Sequence, residues 1–331
     1  MRKMKTDPLY AMETLLPLKR LRRMVFSVTA RCNSRCKTCF IWKKDFKDQL
    51  SLSDIEKFAR SKALKKVRFL VLTGGETFLR TDIDKIVNIL KKKNPKLHIT
   101  ILTNGLLPEV IKKKVKKMPR DILITLSFNG KEKTHDDTRG VPGNYKKLLK
   151  TIEDMKELKQ DTNLIYTITP ENYDQIFWAW EFAKQHDLNI LFNPEVEYAR
   201  LDTDNSRKLT EPQKKEVLRQ LREIYNERKR GFFDQTYYLF FEKFYSGRTV
   251  TNKCYAGTNS YFIDYTGDVY PCENLVGSIP PLANIKEISL EQIDYTKEVK
   301  KNKCYEHCYL LCEMVPNSRK HLLKTYLNRN K

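Results

Sequence analysis

The chain has few of the residues that break or loosen structure: its 331 residues include 11 glycines and 13 prolines. With 40% hydrophobic and 11% aromatic residues, that scarcity excludes a collagenous, low-complexity or disordered chain. No apolar run approaches the ~20 residues a membrane helix needs. The first thirty residues mix basic and apolar positions, without a sustained apolar stretch or a small-residue cleavage site, so no signal peptide is expected. The expected location is therefore cytoplasmic. In a reducing compartment, eight cysteines read as metal ligands before they read as disulfides.

Acidic residues are also in deficit, 41 against 63 Lys and Arg, for a formal charge of +22. Such a charge can serve nucleic acid, acidic proteins, phosphorylated substrates or an anionic membrane. Much of it is diffuse. Lys91, Lys92 and Lys93 follow the apolar period Ile83, Ile86, Val87, Leu90, and Lys112, Lys113, Lys114, Lys116 and Lys117 surround Val110, Ile111 and Val115. These lysines are expected to form the solvated faces of amphipathic helices.

Six β-rich runs stand at 24–30, 66–73, 97–103, 121–128, 162–168 and 188–196. Between them lie helical stretches starting near Ser53, Thr81, Pro108, Gly143, Asn172 and Thr210. This alternation predicts an α/β fold with a mostly parallel sheet and helical crossovers. Ser53 with Glu56 has capping-box spacing, and Thr81 and Asn172 are good N-cap types. After about residue 230 the alternation ends and a second, cysteine-bearing module is expected. The resulting division is an extension over 1–23, a core over 24–230 and an auxiliary domain over 231–331.

The segment CNSRCKTC places Cys32, Cys36 and Cys39 just after the first predicted strand. A closed zinc site and most cubane iron-sulfur clusters take four protein ligands; three leave a metal corner vacant. At the C-terminal edge of a parallel sheet, where ligands collect, a vacant corner is a catalytic arrangement. Further stations end the next strands: Gly74, Gly75 and Glu76; Thr103, Asn104 and Gly105; and SFNGKEKTHDDTRG from Ser127 to Gly140.

Together these residues resemble the radical S-adenosylmethionine (radical SAM) superfamily, over residues 24 to about 200. The resemblance implies a partial (β/α)6 barrel of TIM type and a 4Fe-4S cluster whose fourth iron is chelated by the amino and carboxylate groups of S-adenosylmethionine. Glu76, carried by Gly74 and Gly75, would accept from the methionine ammonium; Arg139 would fork onto its carboxylate, with Ser127 nearby. Asn104 and Asn129 are candidates for ribose or amino-acid contacts. Thr77 stands where the family usually has proline, Thr38 where it often has an aromatic residue, and Asn129 where an aspartate is usual.

In the C-terminal part, Cys254 and Cys272 flank a predicted antiparallel hairpin with Tyr261, Ile263 and Tyr265, turn residues 266–268, then Val269 and Tyr270. Cys304, Cys308 and Cys312 follow at a spacing that suits one helix face. This half resembles the SPASM or shorter twitch extension of radical SAM maturases, and implies one auxiliary 4Fe-4S cluster. Its ligands would be Cys254, Cys272 and two of the remaining three; a zinc ribbon is the other reading of the same spacing.

The resemblance implies reductive cleavage of S-adenosylmethionine to a 5'-deoxyadenosyl radical that abstracts a substrate hydrogen. It also implies a low-potential donor such as flavodoxin or ferredoxin, and a peptide, protein or small-molecule substrate. No separate leader-binding domain is expected before residue 24. Glu195, Glu197 and Tyr198, with Tyr166 and Thr167, are expected to face the substrate. The alternative is a cysteine-rich zinc protein that binds nucleic acid through basic helices. It accounts for charge and cysteines, but gives no reason for the ordered stations at successive strand ends.

Overall fold

A computed structural model describes residues 21–195, 208–228, 232–248, 256–257 and 259–287, with 228 and 232–237 described by their backbone alone. The six β-rich runs form strands β1 (Arg23–Thr29), β2 (Phe69–Gly74), β3 (His98–Thr103), β4 (Leu123–Phe128), β5 (Thr162–Ile168) and β6 (Asn189–Pro194). Each pairs in parallel with its sequence neighbour, in the order β6-β5-β4-β3-β2-β1. Parallel neighbours require crossovers, and helices supply them.

The helices are α1 (Leu52–Ala59), α2 (Lys62–Lys66), α3 (Ile83–Lys93), α4 (Pro108–Val115), α5 (Glu132–Arg139), α6 (Asn144–Glu157), α7 (Ile176–Gln185), α8 (Glu211–Arg228) and α9 (Phe232–Tyr245). The arrangement is the expected α/β partial (β/α)6 barrel. Strand alternation separates its two faces. Phe26, Leu72, Ile101, Leu126, Tyr166 and Phe192 join the apolar core under the helices. There Phe128 stacks on Phe182 with centroids 4.8 Å apart. A buried Phe or Leu contributes about 1.5–3 kcal/mol. The opposite, inner face carries Ser27, Thr73, Thr125, Ser127, Asn163, Thr167 and Asn193 among aliphatic residues.

Helix starts differ from expectation in three places. Ser51, not Ser53, caps α1, in a capping box with Asp54, because the sequence offers two overlapping Ser-x-x-acid frames and the chain uses the first. α3 begins after Asp82 rather than at Thr81. α7 begins after Gln175, since the Asn172 side chain is taken by tertiary bonds: it accepts from Thr169 N–H at 2.7 Å and donates to the carbonyls of Thr167 and Asn129.

The lysine-rich helices are also not simple solvated faces. Lys91 is buried and donates to the carbonyls of Pro95 and Leu97 and to Asp121. Lys112 holds Asp154 at 3.0 Å and Glu157 at 2.6 Å, and Lys114 holds Asp84 at 2.7 Å. Buried carboxylates between helices require these partners.

The C-terminal hairpin forms as predicted, with β7 (Ser260–Ile263) and β8 (Asp268–Tyr270) antiparallel and β9 (Ala283–Asn284) beside β8. It does not make a separate sheet. β7 lies parallel to β1, from Arg23 opposite Ser260 to Phe26 opposite Ile263, so the barrel sheet continues into the hairpin. Cys272 follows β8, whereas Cys254, Cys304, Cys308, Cys312, Glu197 and Tyr198 lie outside the described residues.

Candidate active site

The cysteine loop leaves the C-terminal end of β1. Cys36 is buried, and Cys32 and Cys39 are half-buried. Burial pushes the Cys32 thiol up to about 12, opposed by the Ser34 N–H, which donates to Cys32 Sγ at 3.4 Å, and more weakly by the charge of Arg139. Among the described residues, no three His, Cys, Asp or Glu side chains close around a single metal ion. A cubane asks for something else, since each thiolate binds a different iron and the set stands wider.

Residues just before and between the cysteines tie the loop to the ends of β2 and β3 and to the C-terminus of α5. At β2, Glu76 N–H donates to Arg31 O at 2.7 Å and Gly75 N–H to Thr29 O at 2.7 Å. This approach explains the glycine pair. A Cβ on Gly74 would lie 2.2 Å from Thr29 O, and one on Gly75 would lie 2.1 Å from Arg31 O. At β3, Asn104 Nδ2 donates to Asn33 Oδ1 at 2.8 Å and to Ser34 Oγ at 2.9 Å. At the C-terminus of α5, the carbonyls of Arg139 and Thr138 accept from Arg35 and Lys37 N–H at 2.9 and 3.0 Å.

Glu76 is 1% exposed. Its Oε1 accepts from Thr103 Oγ1 at 2.7 Å and Phe78 N–H at 3.0 Å, and its Oε2 accepts from Asn104 N–H at 2.7 Å. A carboxylate oxygen has two acceptor positions, so Oε2 can take a second donor. Burial pushes the Glu76 carboxyl up, while those bonds and the Arg139 charge pull it down. Asn104, a candidate cofactor contact, also braces the site: besides its two donations to the cysteine loop, its Oδ1 accepts from Leu106 N–H at 2.9 Å.

Arg139 ends α5, and Gly140 follows in the left-handed region (φ 65°), where a Cβ would lie 2.3 Å from Arg35 O. Asp136 fixes the next helix by accepting from Gly143 and Tyr145 N–H. His135 is fully buried, and its Nδ1 accepts from Asn129 N–H at 3.2 Å, so Nε2 carries the proton. Burial, with the nearby Arg139 charge, lowers His135 to about 4 and keeps it neutral.

Several buried polar atoms have no hydrogen-bond partner: Ser27 Oγ, Asn129 Oδ1, Arg139 Nε and, on α9, the Tyr245 hydroxyl. Buried polar groups are ordinarily paired, so such atoms near one sheet edge suit a polar ligand. Ser27 and Tyr245 were missed in the sequence. The hydroxyl in the midst of MVFSVTA was the available sign for Ser27; Tyr245 follows an aromatic run that gives none. Glu195 continues the inner-face alternation of β6, its N–H donating to Ile168 O at 3.0 Å, and its charge helps burial push the Tyr245 hydroxyl up. Tyr166 does not face this side: it is 0% exposed, points into the helix-covered core and donates to Asn172 O at 2.9 Å. The two-residue period of β5 puts Thr167, not Tyr166, on the inner face.

The donor set fits a 4Fe-4S cluster with S-adenosylmethionine. Buried thiols ionise when iron supplies the positive charge, and Glu76 with Arg139 gives an acid and a base for a zwitterionic amino acid. Comparison with known proteins agrees. Residues 26–181 match the radical SAM superfamily, and residues 254–313 match SPASM, an iron-sulfur cluster-binding domain. GTP 3',8-cyclase of Clostridium botulinum is 28% identical over 184 residues, 53% of this chain and 56% of the cyclase; the chain thus spans little more than half that relative's length. AdoMet-dependent heme synthase of Methanosarcina barkeri is 24% identical over 84% of this chain and 83% of its own. Among solved structures, Streptococcus suis SuiB bound to precursor peptide SuiA has a TM-score of 0.68 at 17% identity, covering 89% of this chain and 69% of SuiB. Native anSMEcpe with bound AdoMet has a TM-score of 0.65 at 17% identity, covering 93% and 97%. These structures share the fold.

Proposed function

Because the chain carries a radical SAM domain followed by a SPASM iron-sulfur domain, with S-adenosylmethionine and 4Fe-4S clusters as its cofactors, we propose that it abstracts hydrogen from a polar, uncharged substrate, foremost a peptide or protein segment. When bound, the cluster and S-adenosylmethionine supply reductive cleavage and hydrogen-atom abstraction. The protein's part is to hold and orient. Cys32, Cys36 and Cys39 hold the cluster. The free acceptor position of Glu76 takes the methionine ammonium, Arg139 takes the carboxylate, and Ser127 and Asn129 line the same edge. Cys272 serves the auxiliary cluster with Cys254 and two of Cys304, Cys308 and Cys312.

The observation that carries this reading is the opposite charge of Glu76 and Arg139, both within electrostatic reach of the Cys32 thiol at one strand edge. For the substrate, support comes from the inner face of β1–β6. Among the described residues, apart from Arg23, Phe69 and His98 at the far ends, it presents hydroxyls, amides and aliphatic groups. Amide and hydroxyl donors and acceptors match a peptide backbone; a triphosphate would call for cations there. Glu195 would receive a donor group of the substrate.

The experiment is anaerobic incubation of cluster-reconstituted protein with S-adenosylmethionine and dithionite, followed for 5'-deoxyadenosine. Product that disappears in Cys36→Ala supports the reading. Zinc bound in place of iron would return the chain to the nucleic-acid-binding alternative.

A further inference from the structure

Asn104 joins two parts of the site that the sequence presents as separate. Its backbone N–H donates to Glu76 Oε2 at 2.7 Å, and its side chain donates to Asn33 Oδ1 at 2.8 Å and Ser34 Oγ at 2.9 Å, between Cys32 and Cys36. Ser34 in turn donates its N–H to Cys32 Sγ at 3.4 Å. One residue thus links the buried carboxylate at the end of β2 to a sulfur of the cysteine loop, through a series of hydrogen bonds joined by the covalent frames of Asn104 and Ser34. All its members except Cys32 and Asn33 are buried, so water offers little competition for the bonds.

We propose that Asn104 is a positioning residue that couples occupancy of the Glu76 site to the seating of the cysteine loop. The proposal rests on the assignment of Glu76 to the methionine ammonium. A donor arriving at Glu76 Oε2 competes with Asn104 N–H for the same oxygen's electron density. Any adjustment of Asn104 is transmitted to Asn33 and Ser34, and so to the N–H that Cys32 accepts. Hydrogen bonds to a thiolate alter its electron donation to iron, so the coupling has a spectroscopic reading.

Electron paramagnetic resonance of the dithionite-reduced, reconstituted protein, with and without S-adenosylmethionine, tests this together with the cofactor's dissociation constant. In the wild type, the cofactor shifts the cluster signal. In Asn104→Ala, which also frees the Leu106 N–H that Oδ1 accepts, iron content is expected to stay at the wild-type level, the cofactor-free signal to differ from wild type, and affinity to fall roughly tenfold, the scale of the two bonds lost to the loop. The double variant Asn33→Ala/Ser34→Ala removes the same two bonds from the loop side and leaves the end of β3 intact, which guards against misfolding of Asn104→Ala. It should reproduce the phenotype, and combining all three substitutions should add nothing further. Variant signals identical to wild type, in both states, would overturn the coupling while leaving the cofactor assignment in place. No cofactor-induced shift in the wild type, with no binding, would instead remove the cofactor assignment and the coupling with it.

Discussion

The carbonyl oxygen of Arg139 accepts the backbone N–H of Arg35 at 2.9 Å, one residue before Cys36. The residue expected to grip a ligand through its guanidinium therefore also grips the cysteine loop through its backbone. The same holds along the edge: the segments following β2 and β3 and the end of α5, each read as a cofactor station, all carry part of that loop.

Gly140 allows this contact, and replacing it tests the contact directly. In Gly140→Ala the new Cβ meets Arg35 O and the residue is held at φ 65°, so a loss of about 1–2 kcal/mol is expected from conformation alone. Denaturant unfolding should show that loss, and iron bound after reconstitution should fall because the loop is displaced. Gly143→Ala, also at positive φ but with open space around its Cβ, should share the conformational cost and keep its iron.

Glu76→Gln keeps the shape of the buried carboxylate but puts an amide N–H where Asn104 or Thr103 already donates. Facing donors at a fully buried site cost about 1–3 kcal/mol. Stability should fall by that amount, and affinity for S-adenosylmethionine by roughly tenfold or more, as read by equilibrium binding to the reconstituted protein.

His135 predicts a pH dependence. Its folded value of about 4 lies below the ordinary 6.5, so between these the unfolded chain binds the extra proton. The contribution of neutral His135 is intact above pH 6.5, is lost progressively as pH falls, and levels off below about 4, with a full size of about 3 kcal/mol. Urea unfolding of wild type and His135→Gln across this window should give a smaller dependence on pH for the variant. Equal slopes would mean that His135 titrates normally.

The sequence displayed the scaffold well, because six β/α units announce themselves through period and composition. β5 was bounded to the residue, and Pro108 marked its helix start. The misses share a cause, which is tertiary competition for a side chain. Asn172 had the chemistry of a cap but braces the carbonyls of Thr167 and Asn129. Tyr166 was misplaced by face, although its strand's alternation with Leu164 and Ile168 was present to be read. Sequence spacing gives no account of which lysine reaches which acid across a helix pair, so Lys91, Lys112 and Lys114 passed for surface charge.

An acidic electron carrier would be steered by the charge that lies nearest the first cluster. A low-potential flavodoxin or ferredoxin, the donor class implied by the family resemblance, must approach the first cluster, and Lys91, Lys112 and Lys114 are held in intramolecular pairs. Around the cysteine loop, by contrast, Arg31, Arg35, Lys37, Lys43 and Lys44 are exposed, with Arg35 4.7 Å from the Trp42 ring centroid and Lys43 4.5 Å from that of Phe40. Charge near the contact governs association rate and its dependence on salt, and that influence fades beyond a Debye length of about 8–10 Å. Replacing Lys37, Lys43 and Lys44 with Gln should therefore slow reduction by a reduced carrier and flatten its salt dependence. Lys92→Gln with Lys113→Gln should leave both unchanged. Lys112→Gln should lower the melting temperature without altering either rate property, because Asp154 loses a partner while the docking surface keeps its charge. Stopped-flow reduction at several ionic strengths separates these outcomes; equal slowing by both groups of variants would return the steering role to overall charge.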